Sequence, residues 1–120
     1  MIAQIPSHIM AHDQYAIEAL VQRLLLEYGS DILTVTLFGS KARGDDTADS
    51  DIDVLVVVTD KNGMIKYKIR TLGARVSLDC DVLFNLYVVE QERWLWMGEI
   101  NHPLYRRIVK DGVDLALAAV

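Results

Sequence analysis

Two short patterns in this 120-residue chain carry residue types and spacing fit for chemistry. Gly39-Ser40 closes an apolar run and opens Lys41-Ala42-Arg43-Gly44. A helical turn starting there aims backbone N–H groups outward, with the Ser40 hydroxyl beside them, as a seat for phosphate oxygens. Farther along, Asp51-Ile52-Asp53 leads into a second apolar run. Strand side chains alternate, so both carboxylates fall on one face about 6 to 7 Å apart along the backbone, able to converge on shared cations. Such hard oxygen donors suit Mg²⁺, which takes one or two protein carboxylates and leaves its other positions to water and substrate phosphates. Together the two patterns imply a nucleotide. A carboxylate entering a buried strand needs a cation or a hydrogen-bond partner to offset its desolvation, which argues for a functional role for Asp51 and Asp53.

A site for two metal ions needs a further carboxylate. The stretch Arg75 to Val89 reads as a third strand with an extension, and Asp79 and Asp81 share one of its faces. Asp81 is the preferred ligand because it leads directly into Val82-Leu83-Phe84, as Asp53 leads into Val54-Leu55-Val56; Asp79 stands as the alternative. Arg43, with its fixed fork of donors, either bonds the loop or reaches a phosphate. Lys41 is expected in solvent until substrate binds, and Asp45, Asp46 and Asp49 form a solvated loop.

Rival chemistries fail on specific residues. A calcium loop would need glycine where Val54 stands and glutamate where Asp60 stands. A Walker loop would need Lys-Ser/Thr where Asp45-Asp46 follow the glycines. His8 and His12 are four apart, but Ile9 replaces the glutamate of the zinc-protease pattern, which leaves them a surface or capping role. Cys80 is the one cysteine, so no intrachain disulfide or cysteine zinc site forms and a reducing compartment fits. Trp94 and Trp96 read as packing residues.

The elements that must hold these residues follow from periodicity. Ile17, Leu20, Val21, Leu24, Leu25 and Tyr28 mark an amphipathic helix between Asp13, its expected N-cap, and Gly29, with Ser7 after Pro6 as an alternative, earlier start. Ile32 to Phe38 is a strand, and Ile52 to Val58 is a strand buried on both sides in mid-sheet. Residues 64 to 72 fit either period, with helix favoured. The chain turns helical from Glu90, breaks at Pro103, and forms a short helix over Leu104 to Lys110 closed by Gly112. The expected fold is α/β, a small mixed sheet flanked by helices, with the site where the first strand ends and the second begins.

Composition bounds the rest. With 52% apolar residues the chain builds a core of its own as a single domain, residues 1 to 120, and is not disordered. The 12 Lys and Arg against 17 Asp and Glu leave a net charge of −5, which argues against nucleic acid as a partner. No apolar run reaches a membrane span and the start lacks a secretion-signal layout, so a cytoplasmic location is expected.

Gly39-Ser40, followed by residues 41–50 and then Asp51-x-Asp53, resembles the signature of the DNA polymerase β nucleotidyltransferase superfamily, and GSKARGDDTADSDIDVLV is similar to its minimal branch. Gly39, Ser40, Ala42, Arg43, Gly44, Ser50, Asp51 and Asp53 all land on that pattern; Lys41 and the Asp79-Cys80-Asp81 doublet depart from it. The resemblance implies transfer of a nucleoside monophosphate, AMP from ATP, to a hydroxyl acceptor with release of pyrophosphate. It further implies two Mg²⁺ ions on Asp51, Asp53 and Asp81, with Gly39 and Ser40 on the triphosphate. Minimal relatives pair with a small helical HEPN-type protein as antitoxin and toxin, and some adenylylate it. With no room for an acceptor-binding domain in 120 residues, a protein partner is the expected acceptor. The alternative is a non-catalytic antitoxin that neutralises its partner by complex formation. Homo- and hetero-oligomers both stay open.

Overall fold

Alternation and unbroken apolar sequence build the two central strands, and both have the expected bounds. β1 (Ile32–Phe38) interleaves Thr34 and Thr36 with Val35 and Leu37, and β2 (Ile52–Val58) is apolar throughout beyond Asp53. The computed structural model describes residues 5–45, 50–59 and 63–117. Asp46 and Asp49, expected in a solvated loop, lie outside the described residues.

The remaining elements follow in chain order. α1 (Ala11–Tyr28) precedes β1, a four-residue turn of helix α2 (Ser40–Arg43) follows it, and α3 (Met64–Cys80) connects β2 to β3 (Phe84–Glu90). Then come α4 (Gln91–Glu99), α5 (Pro103–Asp111) and β4 (Val113–Leu117). The strands form one mixed sheet in the order β3-β2-β1-β4, with β1 antiparallel to β2 and β4, and β2 parallel to β3. A parallel pair needs a crossover, and α3 supplies it.

The two faces of the sheet are covered by different helices. Ala16, Ile17, Leu20, Val21 and Leu24 of α1 and Ile69, Leu72 and Val76 of α3 recur at helical spacing and pack on Val35, Ile52, Val54 and Val56. Ile108 of α5, with Trp94 and Leu104, packs against Phe38, Leu55 and Val57 on the other face. Burial of β2 on both sides, at about 1.5–3 kcal/mol per large apolar side chain, makes it the most firmly held strand. Asp53 continues the Leu55 and Val57 side of β2, so its carboxylate belongs to the α5 face.

Three expectations are corrected. Arg75–Val89 is not one long strand: the helical stripe Ile69, Leu72, Val76 carries α3 to Cys80, Asp81 ends it in the left-handed region (φ 53, ψ 52), and extended backbone begins only at Phe84. Asp13 does not cap α1, which starts at Ala11 after Met10; it lies in the first turn and is buried. β4 had no strand assigned to it, yet it extends the sheet beyond β1. No helix among the described residues is long and apolar enough to cross a membrane.

Candidate active site

Phe38 pairs with Asp53 across the antiparallel β1–β2 ladder, so the end of one strand and the start of the other meet. Gly39 therefore lies against Asp53. It has φ 79 and ψ −159, and a Cβ built on it would collide with the Asp53 carboxylate. Only glycine tolerates both the positive φ and that approach. Ser40 then begins α2, whose short ladder runs from Arg43 N–H to the Gly39 carbonyl and from Gly44 N–H to the Ser40 carbonyl.

The turn is pinned from behind. Lys41 is 1% exposed and its Nζ donates to Asp13 Oδ2 at 2.7 Å, which ties α2 to α1. Lys41, expected in solvent, is the largest fully buried side chain of the described residues. Its carbonyl lies 2.9 Å from His8 Nε2. On the other side of the turn, Arg43 donates through Nε to Asp45 and through Nη1 to Asp111 of α5, each at 3.1 Å. These bonds, first to Asp45 and then to Asp111, hold the guanidinium more firmly protonated than an ordinary arginine.

Asp51 and Asp53 do converge, and the residue on which they converge is Asn85. The parallel β2–β3 register sets Asp53 opposite Asn85, whose Nδ2 donates to Asp51 Oδ2 at 3.1 Å and to Asp53 Oδ1 at 3.2 Å. Burial pushes the Asp53 carboxyl above the usual carboxylate range, the Asn85 bond opposes that shift, Asp51 adds to it, and Arg107 and Arg43 lower it. Two hard carboxylates that already share one donor have the chemistry and the convergence that a divalent cation requires, so the donor set fits Mg²⁺.

The expected third ligand is elsewhere. Asp81 caps α3 and is exposed, and it lines a cleft of about 340 Å³ with His12, Asp13, Ser50 and Ile52, on the side of the sheet that α1 and α3 cover. Its backbone carbonyl lies 3.2 Å from His12 Nε2. Asp79 sits inside α3, and its carboxylate is 3.8 Å from Arg23. Among the described residues no group of three His, Cys, Asp or Glu side chains gathers as a metal site. Neither Asp81 nor Asp79 lies on β3, and the structure does not gather either with Asp51 and Asp53.

Gly39, Ser40, Asp51 and Asp53 are brought together, and Arg43 borders them. Sequence reasoning missed Asn85, Arg107 and Asp111. Asn85 interrupts the apolar run Val82 to Val89, a signal that gained meaning only from the β2–β3 register. His102 caps α5, accepting at Nδ1 from Leu104 N–H with Pro103 behind it, and so sets the helix that carries Arg107 and Asp111. Trp94 packs on Tyr105 at 4.8 Å, and Trp96 is largely exposed beneath Arg93.

Comparison with known proteins gives the family and the fold. The family model described as a nucleotidyltransferase domain matches residues 17–113. A Methanocaldococcus jannaschii protein, MJ0604, provisionally named a protein adenylyltransferase, is 32% identical over 102 residues, covering 84% of this chain and 95% of its own. A chain in the crystal structure of a toxin–antitoxin with AMP-PNP superposes with a TM-score of 0.56 at 22% identity, over 82% of this chain and 72% of that one. A chain of the toxin–antitoxin MntA-HepT gives a TM-score of 0.54 at 20% identity, over 86% and 71%. The last two likenesses establish a shared fold.

Proposed function

The chain belongs to the nucleotidyltransferase family, and from that premise we propose that it moves AMP from ATP to a hydroxyl of a partner protein, releasing pyrophosphate. The observation that carries the reading is the convergence of Asp51 and Asp53 on one amide beside the Gly39-Ser40 turn. In this reading Asp51 and Asp53 hold Mg²⁺, which when bound neutralises triphosphate charge and polarises the reacting phosphorus centre. Gly39 and Ser40 receive phosphate oxygens at the start of α2, and the Lys41–Asp13 pair keeps that turn in register with the carboxylates. Arg43 and Arg107 place positive charge beside the carboxylates, with Arg43 reaching a phosphate by exchanging an aspartate partner for it. Positioning and charge neutralisation supply most of the acceleration in phosphoryl transfer, so little else is asked of the side chains.

A protein acceptor is supported by the relative named for protein adenylylation, and a small helical HEPN-type toxin by the MntA-HepT complex. ATP as donor is supported by the toxin–antitoxin structure with AMP-PNP. A second reading, an antitoxin acting by complex formation alone, is favoured by one feature: Asn85, not an acid, stands opposite Asp53.

Intact-mass measurement of a co-purified partner, incubated with Mg²⁺ and ATP, separates the two. Catalysis predicts AMP-sized increments on the partner with the wild type and none with Asp51→Asn or Asp53→Asn, together with loss of neutralisation. Unmodified partner, neutralised equally well by Asp53→Asn, would establish the binding role instead.

A further inference from the structure

A site for two metal ions asks for more anionic donors than a site for one, and the resemblance implies a third acid beside Asp51 and Asp53. Among the described residues two converge here, Asp51 and Asp53. At the point on β3 that faces Asp53 stands Asn85, and its amide NH₂ is committed to both carboxylates. The nitrogen assignment follows from the partners, since an amide oxygen facing two carboxylates would be repelled. Two other described acids near the turn are engaged: Asp45 and Asp111 both hold Arg43. Asp81 lies on the opposite face of the sheet.

We propose that Asn85 takes the seat of a third acid, holds Asp51 and Asp53 converged before any cation arrives, and limits the site to one divalent ion that enters with the nucleotide. Mg²⁺ ordinarily accepts one or two protein carboxylates and completes its shell with water and phosphate oxygens, and two carboxylates satisfy one such ion. A second ion would need an anionic oxygen donor at the β3 position facing Asp53, where Asn85 stands. The amide also lowers the cost of keeping two carboxylates together without metal, because it donates to both where a third carboxylate would repel both. Asn85 is on this account a positioning residue.

This inference rests on the nucleotidyltransferase reading of the same site, and the test separates the two. Mn²⁺ is titrated into the full chain with a non-cleavable α,β-methylene ATP analogue, and bound Mn²⁺ is counted by electron paramagnetic resonance. The wild type is expected to bind one Mn²⁺ per nucleotide and Asn85→Asp two. Without metal, Asn85→Asp should melt lower than the wild type and gain more on Mn²⁺ addition. Asn85→Ala, which removes the donor without adding charge, should still bind one Mn²⁺, with affinity at least about tenfold weaker, the usual effect of losing an outer partner of a metal ligand. Two ions in the wild type, one in a folded Asn85→Asp, or wild-type affinity in Asn85→Ala would each overturn the inference while leaving the nucleotidyltransferase reading standing. No uptake of Mn²⁺ and analogue by the wild type would overturn both.

Discussion

Removing the carboxylate of Asp13 is the sharpest perturbation the structure offers outside the site. Lys41 Nζ lies 2.7 Å from Asp13 Oδ2, and Lys41 is 1% exposed, so Asp13→Ala takes a hydrogen-bonded carboxylate away from an ammonium held out of water. Breaking a buried pair from one side costs about 3–5 kcal/mol. At this chain length each kcal/mol lowers Tm by about 4 °C, so a fall of roughly 12–20 °C is expected. Lys41→Met removes the charge that cannot reach solvent and leaves the Asp13 carboxylate in the first turn of α1, where the helix dipole favours it. That variant should lose clearly less. Lys41→Met with Asp13→Leu fills the space with apolar groups and should recover most of the wild-type Tm. Differential scanning calorimetry of the three variants reads the order directly. An Asp13→Ala protein melting within about 2 °C of wild type, the range of an unremarkable surface change, would refute the buried pair and its role in seating α2.

Two further outcomes follow from the site. Gly39→Ala adds a Cβ where φ is 79 and the Asp53 carboxylate is in contact, so a loss of at least about 1 kcal/mol in urea unfolding and of Mg²⁺-nucleotide affinity is expected; unchanged values for both would mean that Gly39 and Asp53 do not meet. Asp53→Asn should abolish transfer yet melt at or above the wild type near neutral pH without metal. Burial raises the Asp53 pKa in the folded state, so its ionised form weakens the fold above that pKa and the penalty is absent below the unfolded value of about 3.9. The stability gain of Asp53→Asn should therefore shrink as pH falls towards 4, and a clear drop in Tm at pH 7 would contradict the desolvation argument.

How far the sequence could be read depended on whether a residue's partner was near it in the chain. β1 and β2 were legible because alternation and β-branched content are local properties, and their meeting at Gly39 and Asp53 follows from a short connection. The stretch after Arg75 was misread because Val76, Leu78, Val82 and Leu83 are apolar on either account. What decides it is that Ile69, Leu72 and Val76 face α1, a tertiary fact. Asp81 was placed on a strand by the same error, whereas it ends α3. Lys41 looked like a surface lysine because its counter-charge lies 28 residues upstream. Asn85 carried no signal until the parallel register placed it across from Asp53. β4 was short, and its pairing with β1 spans most of the chain.

The central claim is that Asp51 and Asp53 collect a divalent cation for a nucleotide seated at the Gly39-Ser40 turn. Isothermal titration of a non-cleavable ATP analogue into the full chain, with Mg²⁺ and with EDTA, tests it most directly. The account predicts saturable binding in Mg²⁺ that vanishes in EDTA and in Asp53→Asn. Absence of binding in Mg²⁺, or equal binding in EDTA, would contradict it.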